Sequence, residues 1–404
     1  MRVLVVAPQP FFSPRGTPFS VYYRTLLTSE LGHEADLLTY GQGDDVDIPR
    51  VRIIRIPAFR FLGKVKTGPS GLKLFLDLFM VLWTVGLLLR RRYDVIHAHE
   101  ESVFWCRWLK PLFRVRLIYD MHSSLPQQLH NFSYTRLRFV HWIFERLENS
   151  ALHAADAVIT ICPSLEIYAR GIAADPDKVL LIENSIFDPI RFRHALEGTE
   201  SPQAAELPAP VVDEALKAWQ ERHLPERTIV YAGTLEAYQG IDTLIAAFAH
   251  VVQTVPDAGL LIIGGQSEQV ANYRKLASEV GLEHHVYFTG QVSQTLAQEL
   301  VARAGACISP RCSGNNTPLK IYHLMASGVP LIATRIESHT QVLDDEIATL
   351  TNASIEGLAA GMLTVLEDRD QANAKAREGQ ERYRSCYSRA VYAEKMQFLF
   401  SKVA

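Results

Sequence analysis

Cysteine is scarce in this 404-residue chain. There are five, Cys106, Cys162, Cys307, Cys312 and Cys386, scattered and odd in number. This excludes a disulfide framework and fits a reduced cytosolic protein. Cys307 and Cys312 lack a second pair or a nearby histidine, which excludes a cysteine-based zinc site. Net charge is small as well. Against 44 Asp and Glu stand 41 Lys and Arg, a balance of −3. With no series of base-stacking aromatics either, nucleic acid is not an expected partner. The opening MRVLVVAP lacks the apolar core and small-residue cleavage site of a signal peptide, and reads as a first strand. A run long enough to span a membrane is missing too. The longest, Leu74–Leu89, carries one charge, Asp77. As a helix it covers about 24 Å, short of the roughly 30 Å hydrocarbon core.

What is present is a globular composition, 48% hydrophobic and 21% charged, long enough for two domains. Short apolar runs alternate with helical patterns. In the first half they are Val3–Ala7, Ala35–Thr39, Val51–Ile56, Val95–Ala98, Arg116–Tyr119, Ala157–Ile161 and Val179–Ile182. In the second they are Thr228–Ala232, Gly259–Ile263, His285–Phe288, Ala306–Ser309 and Pro330–Thr334. Strands apolar on both faces and separated by helices predict parallel sheets covered on both sides. Two such sets predict an α/β protein of two doubly wound domains. Residues 1–187 form the first and 227–370 the second. The proline-rich stretch 188–226 is a linker with one helix near Asp213–Arg222, and 371–404 is a helical C-terminal segment.

Charge is unevenly spread. Residues 50–116 hold 14 Lys or Arg against 4 Asp or Glu, so the rest of the chain carries −13. That basicity points to an anionic partner such as a membrane surface, or to a solvated basic face. Lys64, Lys66 and Lys73 precede the Leu74–Leu89 run, and Arg90, Arg91 and Arg92 follow it. Such a helix is either core or an interfacial contact with anionic lipid.

The densest chemistry lies in residues 309–330, SPRCSGNNTPLKIYHLMASGVP. A strand ends in a polar loop. Thr317 is expected as helix N-cap with Pro318 at the first helical position, and the helix stops at Gly328. A loop rich in free N–H groups that opens a helix is an anion site. Lys320 lies in its first turn and His323 on the same face. Three further glycine turns follow strands, at Gly233, at Gly264-Gly265 and at Gly290, where Gln291 and Val292 come next. In the first half Gly16 follows the first strand. His97 and His99 alternate on one strand, and Asp120 and His122 end the next. Hydrogen bonding near a polar substrate, rather than metal binding, is the reading for these four.

Gly32-His33-Glu34, Asp94–His99 (DVIHAH), Ala155–Ile159 (ADAVI), Tyr231–Leu235 with Gly240–Asp242, and Met325–Pro330 (MASGVP) occur in an order and spacing that resembles the GT-B glycosyltransferases, in particular the family 4 retaining enzymes. Glu183-Asn184-Ser185 matches a further turn of that pattern imperfectly. The resemblance implies two Rossmann-like domains facing a central cleft. The C-terminal one would bind a nucleotide sugar and the N-terminal one the acceptor. It implies retention at the anomeric carbon, no cofactor and no required metal. The chain departs from the family pattern at four positions. Thr234 and Gln239 stand where the family places Arg and Lys on the donor diphosphate. Asn315 and His323 stand where it places two Glu. Arg311 and Lys320 could restore the positive charge.

The expected function is transfer of a hexosyl or related sugar to a hydroxyl of a lipid or lipid-linked glycan in cell-envelope or polysaccharide synthesis. The expected place is the cytoplasmic, inner face of a membrane. Gly16, His122 and Asn315 are assigned near the transferred sugar. Thr234, Gln239, Gln291, Val292, Arg311, Lys320 and His323 are assigned to the nucleotide. A sugar-nucleotide epimerase and a non-catalytic GT-B binding protein remain alternatives, the second because the Glu pair is missing.

Overall fold

The computed structural model describes residues 1–13, 16–58, 71–124, 138–184, 187, 190, 192 and 214–404. Two compact units divide the chain. Unit 1 is Met1–Thr199 with Arg389–Ala404, and unit 2 is Glu200–Ser388. Lys64, Lys66, Ser185 and the linker prolines Pro189, Pro202, Pro208 and Pro210 lie outside the described residues.

Unit 1 is built from β1 (Arg2–Ala7), α1 (Gly16–Glu30), β2 (Glu34–Thr39), β3 (Val51–Arg55), α2 (Gly71–Arg90), β4 (Val95–His99), α3 (Val103–Phe113), β5 (Arg116–Met121), α4 (Arg138–Ala154), β6 (Ala157–Thr160), α5 (Pro163–Ile172) and β7 (Val179–Leu181). Its seven parallel strands run in the order β3-β2-β1-β4-β5-β6-β7. Alternation along β1 explains the two-sided burial. Leu4 and Val6 join the core under α2, α3, α4 and α5, while Val3, Val5 and Ala7 join the core under α1.

Unit 2 contains α6 (Glu214–Arg222), β8 (Thr228–Ala232), α7 (Ile241–Thr254), β9 (Gly259–Ile263), α8 (Ser267–Glu279), β10 (Val286–Gly290), α9 (Gln294–Ala302), β11 (Ala306–Ser309), α10 (Leu319–Ser327), β12 (Leu331–Thr334), α11 (Glu337–Thr340), β13 (Thr349–Thr351), α12 (Ile355–Glu367) and α13 (Arg369–Cys386). The strand order is β10-β9-β8-β11-β12-β13. The apolar runs predict twelve of the strands to within two residues. The three-residue edge strand β13 has no apolar run to announce it.

The segment 371–404 is not one element. It breaks at Tyr387 and Ser388, and α14 (Arg389–Val403) returns to unit 1. There Tyr392, Met396, Leu399 and Phe400 pack beside α1, and Arg389 forms a forked pair with Glu30 at 2.7 Å.

Candidate functional site

In unit 2 the chain order reverses between β8 and β11, and the loops leaving these strands meet there. Such a switch point is where doubly wound sheets bind ligands. Cys312 N–H donates to the Tyr238 carbonyl at 3.0 Å. Gly240, at φ +70°, approaches Pro310 so closely that a Cβ would stand 2.4 Å from its carbonyl oxygen. Gly233 N–H donates to Ile263 O at 3.0 Å and Gly264 N–H to Gly290 O at 2.8 Å. The three glycine turns therefore do converge on one edge.

Lys320 crosses this junction. Its Nζ donates to Gln239 Oε1 at 3.0 Å and lies 4.2 Å from the Tyr231 ring centroid. A cation over an aromatic face is stabilised by the ring quadrupole. Its hydrogen-bonding partner is a neutral amide, not a carboxylate. Burial, with the nearby Arg311 guanidinium, pulls the ammonium down to about 7. Arg311 is engaged in its own loop. It donates from Nε to Ser313 O at 2.6 Å and from Nη1 to Asn316 O at 3.2 Å, and stacks over Tyr238 at 5.2 Å. A Cβ on Gly314 (φ +115°) would meet Arg311 Nη2 at 2.0 Å.

The expected cap is corrected. Pro318 is the residue preceding the helix, with ψ 132°, and α10 begins at Leu319. Pro318 is itself extended and takes the capping position, so Thr317 sits one position too early to cap. Thr317 Oγ1 is buried without a hydrogen-bond partner among the described residues. An orphaned hydroxyl beside the free N–H groups of a helix start is a feature a ligand would satisfy. His323, one turn on, is half-buried, and burial lowers its imidazole. Thr234, Asn315 and Gln291 are exposed. The Thr234 carbonyl accepts from Tyr231 Oη at 2.5 Å, and that of Asn315 from Gln341 Nε2 at 2.5 Å. Val292 packs against the unit 2 core.

Ser309 and His339 lie beneath the loop. His339 Nδ1–H donates to Thr334 O at 2.8 Å, so Nε2 accepts from Ser309 Oγ at 3.0 Å. Both are fully buried, and burial pulls the imidazole down to about 4. The pair fastens the end of β11 and is not a nucleophile with its base.

Unit 1 has a different centre. The β4–β5 register sets His99 opposite Asp120. Asp120 Oδ2 is ion-paired with Arg24 Nε at 2.7 Å and hydrogen-bonded with His97 Nε2 at 3.0 Å, with His99 Nδ1 at 3.4 Å. His122 Nε2 lies 3.3 Å from Asp120 Oδ1 and 3.2 Å from His99 Nδ1. Arg24 also donates to Ile182 O at 2.9 Å. All five side chains are buried. Burial alone would raise the Asp120 carboxyl, but Arg24 and the histidines hold it well below the carboxylate range. Burial pulls His122 down to about 4 and His99 well below its usual value, so both are neutral at pH 7. His97, His99 and Asp120 have metal-like spacing. Arg24 already holds the shared carboxylate oxygen and would repel a dication, so the cluster is a buried ion-pair network. Gly16 opens α1, is exposed, and has open space where a Cβ would stand.

Residues 213–382 match the family of glycosyl transferases group 1, and residues 27–185 match the glycosyl transferase 4-like domain. The chain belongs to the group 1 glycosyltransferases. It is 26% identical over 398 residues to the D-inositol 3-phosphate glycosyltransferase of Corynebacterium glutamicum, covering 92% of this chain and 87% of that one. Sucrose-phosphate synthase from Thermosynechococcus elongatus shares the fold with TM-score 0.73 at 21% identity, over 100% of this chain and 98% of that one. So does Anabaena HepE in complex with UDP, with TM-score 0.71 at 15% identity, over 99% and 100%. The fold is GT-B.

For a group 1 glycosyltransferase the Gln239–Lys320 bond explains one departure from the family pattern. The position where the family carries Lys is a glutamine here, and a lysine 81 residues later in the chain reaches it. Sequence reasoning named both residues without seeing that they meet. It missed Tyr231, which reads as an ordinary strand residue. It also missed Arg24, although a lone cation within the buried pattern of α1 is a signal that a carboxylate awaits it.

Proposed function

We propose that the chain is a retaining glycosyltransferase in which unit 2 binds a nucleotide sugar and unit 1 receives an acceptor hydroxyl on a lipid or lipid-linked glycan. The observation that carries the donor half is Lys320 at the β8–β11 switch point. It bonds a neutral amide and stands in the first turn of a helix that starts beside an orphaned hydroxyl. A cation there opposes the helix dipole and is desolvated, so it needs an anion to offset both costs. A diphosphate supplies that anion.

In the reaction the bond between the anomeric carbon and the diphosphate oxygen breaks. The acceptor oxygen bonds the same face of that carbon, and its proton passes to the departing phosphate oxygen. Lys320 and the α10 N–H groups stabilise the charge that develops on the diphosphate. No enzyme nucleophile and no metal are assigned. His323, held neutral, is a hydrogen-bonding partner for the ribose. The HepE structures in complex with UDP and with UDP-glucose support a nucleotide-sugar donor. The name of the corynebacterial relative favours a second acceptor, a soluble polyol phosphate.

The test is nucleoside diphosphate release from a panel of nucleotide sugars, with polyol phosphates and lipid-linked acceptors supplied in parallel, and NMR of the product. Acceptor-dependent release with the anomeric configuration kept supports the reading. Inverted product rejects retention. Sugar epimerised without acceptor favours the epimerase, and no turnover of any donor favours a binding protein.

A further inference from the structure

The helices of unit 1 are unequal in what they show to solvent. Among the described residues, nine of thirteen exposed large apolar side chains lie on α2, α3, α4 and α5. These helices cover one face of the sheet. The α1 and α14 face shows one, Phe398. Five of the nine are on α2 and two on α3.

The helix α2 runs past both ends of the apolar Leu74–Leu89 run to 20 residues, which corrects the length expected from that run, and by length and composition it could cross a membrane. Its packing says otherwise. Leu76, Met80, Leu87 and Leu88 belong to the unit 1 core and, with the buried Thr84, form its inner stripe. On its outer side Leu74, Leu78, Leu82 and Leu89 recur at helical spacing, Leu74 and Leu89 being 73% and 72% exposed. The one acidic group in the run, Asp77, is turned to Tyr40, whose Oη donates to it at 2.5 Å. Burial and Glu101 raise the Asp77 carboxyl to about 7. The outer stripe is therefore free of charge. On neighbouring α3, Trp108 and Leu112 are 69% and 72% exposed, one helical turn apart, and Arg107 stacks on Trp108 at 5.1 Å.

Cations frame this layer. The C-terminal ends of α2 and α3 lead into the adjacent parallel strands β4 and β5, so they lie at one end of the unit. Arg90 ends α2, Arg92 follows it, and Arg114 caps α3. All are exposed, and none forms an ion pair with a described residue. An isolated patch of this kind exceeds what single exposed leucines explain.

We propose that the α2–α3 layer docks unit 1 on an anionic lipid surface. The helices lie in the plane of the interface, Leu78, Leu82 and Trp108 enter the acyl boundary, and Arg90, Arg92 and Arg114 meet lipid phosphates. The docking deepens the acceptor half of the proposed function and rests on it only for its purpose. The binding itself is independent of transfer.

The test is sedimentation of the full chain with phosphatidylcholine vesicles, with and without phosphatidylglycerol, at low and high salt. Bromine-labelled lipid reports on Trp108 by comparison with Trp108→Phe. Binding to the anionic vesicles is expected, with quenching that Trp108→Phe reduces. Leu78→Gln with Leu82→Gln should weaken partition at least about tenfold at either salt. Arg90→Gln with Arg92→Gln and Arg114→Gln should weaken it roughly a hundredfold at low salt and little at high salt. Circular dichroism checks the fold of each variant. If the leucine variant misfolds, the arginine variant and the quenching decide. A wild-type protein that stays in the supernatant overturns the docking, whether it is a monomer or a dimer that the leucine variant separates. Transfer to a water-soluble acceptor without vesicles is measured alongside, so failure to dock and failure to transfer are separate results.

Discussion

The two units treat buried charge in opposite ways. In unit 1, Arg24 and Asp120 neutralise each other under α1. In unit 2, the half-buried Lys320 is set against an amide and a ring, with no carboxylate among the described residues to answer it. A cation balanced within the chain serves the fold. One left unbalanced costs stability and awaits a ligand. On the proposed reading the difference separates a structural network from a binding group more sharply than residue type does, since both contain the cations and imidazoles an active site uses.

The largest expected effect comes from breaking the balanced pair. Asp120→Asn leaves the Arg24 guanidinium buried without its anion, and should destabilise the protein by about 3–5 kcal/mol. Urea denaturation measures it. A loss below about 1 kcal/mol would show that the network is not what holds unit 1 together.

Removing the unbalanced cation should act in the other direction on stability. Lys320→Met relieves a desolvated ammonium, so the free protein should be no less stable. Affinity for a nucleoside diphosphate should fall by about 1.5–3 kcal/mol while nucleoside affinity stays near wild type. Calorimetry with both ligands decides. Equal losses for the two ligands would remove Lys320 from the diphosphate.

The pH dependence sharpens the same contrast. With the free-state ammonium at about 7, the cationic form is present below that pH and lost above it. A nucleotide sugar is a diphosphate diester with no phosphate group titrating near neutrality. Its affinity should fall roughly fivefold between pH 7 and pH 8, and Lys320→Met should flatten the profile. Because the group is depressed relative to an unfolded lysine, its penalty on folding is full below pH 7 and fades as pH rises toward the unfolded value. A binding profile that rises with pH would contradict the assignment.

The smallest effect belongs to His323. Burial lowers its imidazole, so it acts as a neutral partner and adds no pH dependence above about pH 7. His323→Ala should cost about 0.5–1.5 kcal/mol of nucleotide affinity, nucleoside included, and His323→Gln less. Unchanged affinity in both variants would make it a packing residue.

Most of the fold was legible because parallel strands buried on both faces write continuous apolar runs. Strand β13 escaped, since Thr349–Thr351 at a sheet edge buries too little to leave a run. The cap of α10 was read one residue early. Thr317 has the chemistry of a cap, but Pro318 after it is itself extended and takes the capping position. At the site, Lys320 and the glycine turns were legible from the helix start and the strand ends, while Gln239 and Arg311 were named through the resemblance to the family pattern. Arg311, a candidate for the diphosphate, also holds its own loop, which its sequence neighbours do not announce.

The sequence by itself determined two parallel α/β sheets, the glycine turns at their strand ends, and an apolar helix with a basic end. Each follows from local periodicity or from the conformational needs of glycine and proline. Only the tertiary structure decided that Asp77 turns inward to Tyr40, that Arg24 meets Asp120, and that Lys320 stands at Gln239. Those partners are tens of residues apart in the chain. Sheet order and strand register bring them together, and one residue of register would have turned each of the strand partners to the opposite face of its sheet.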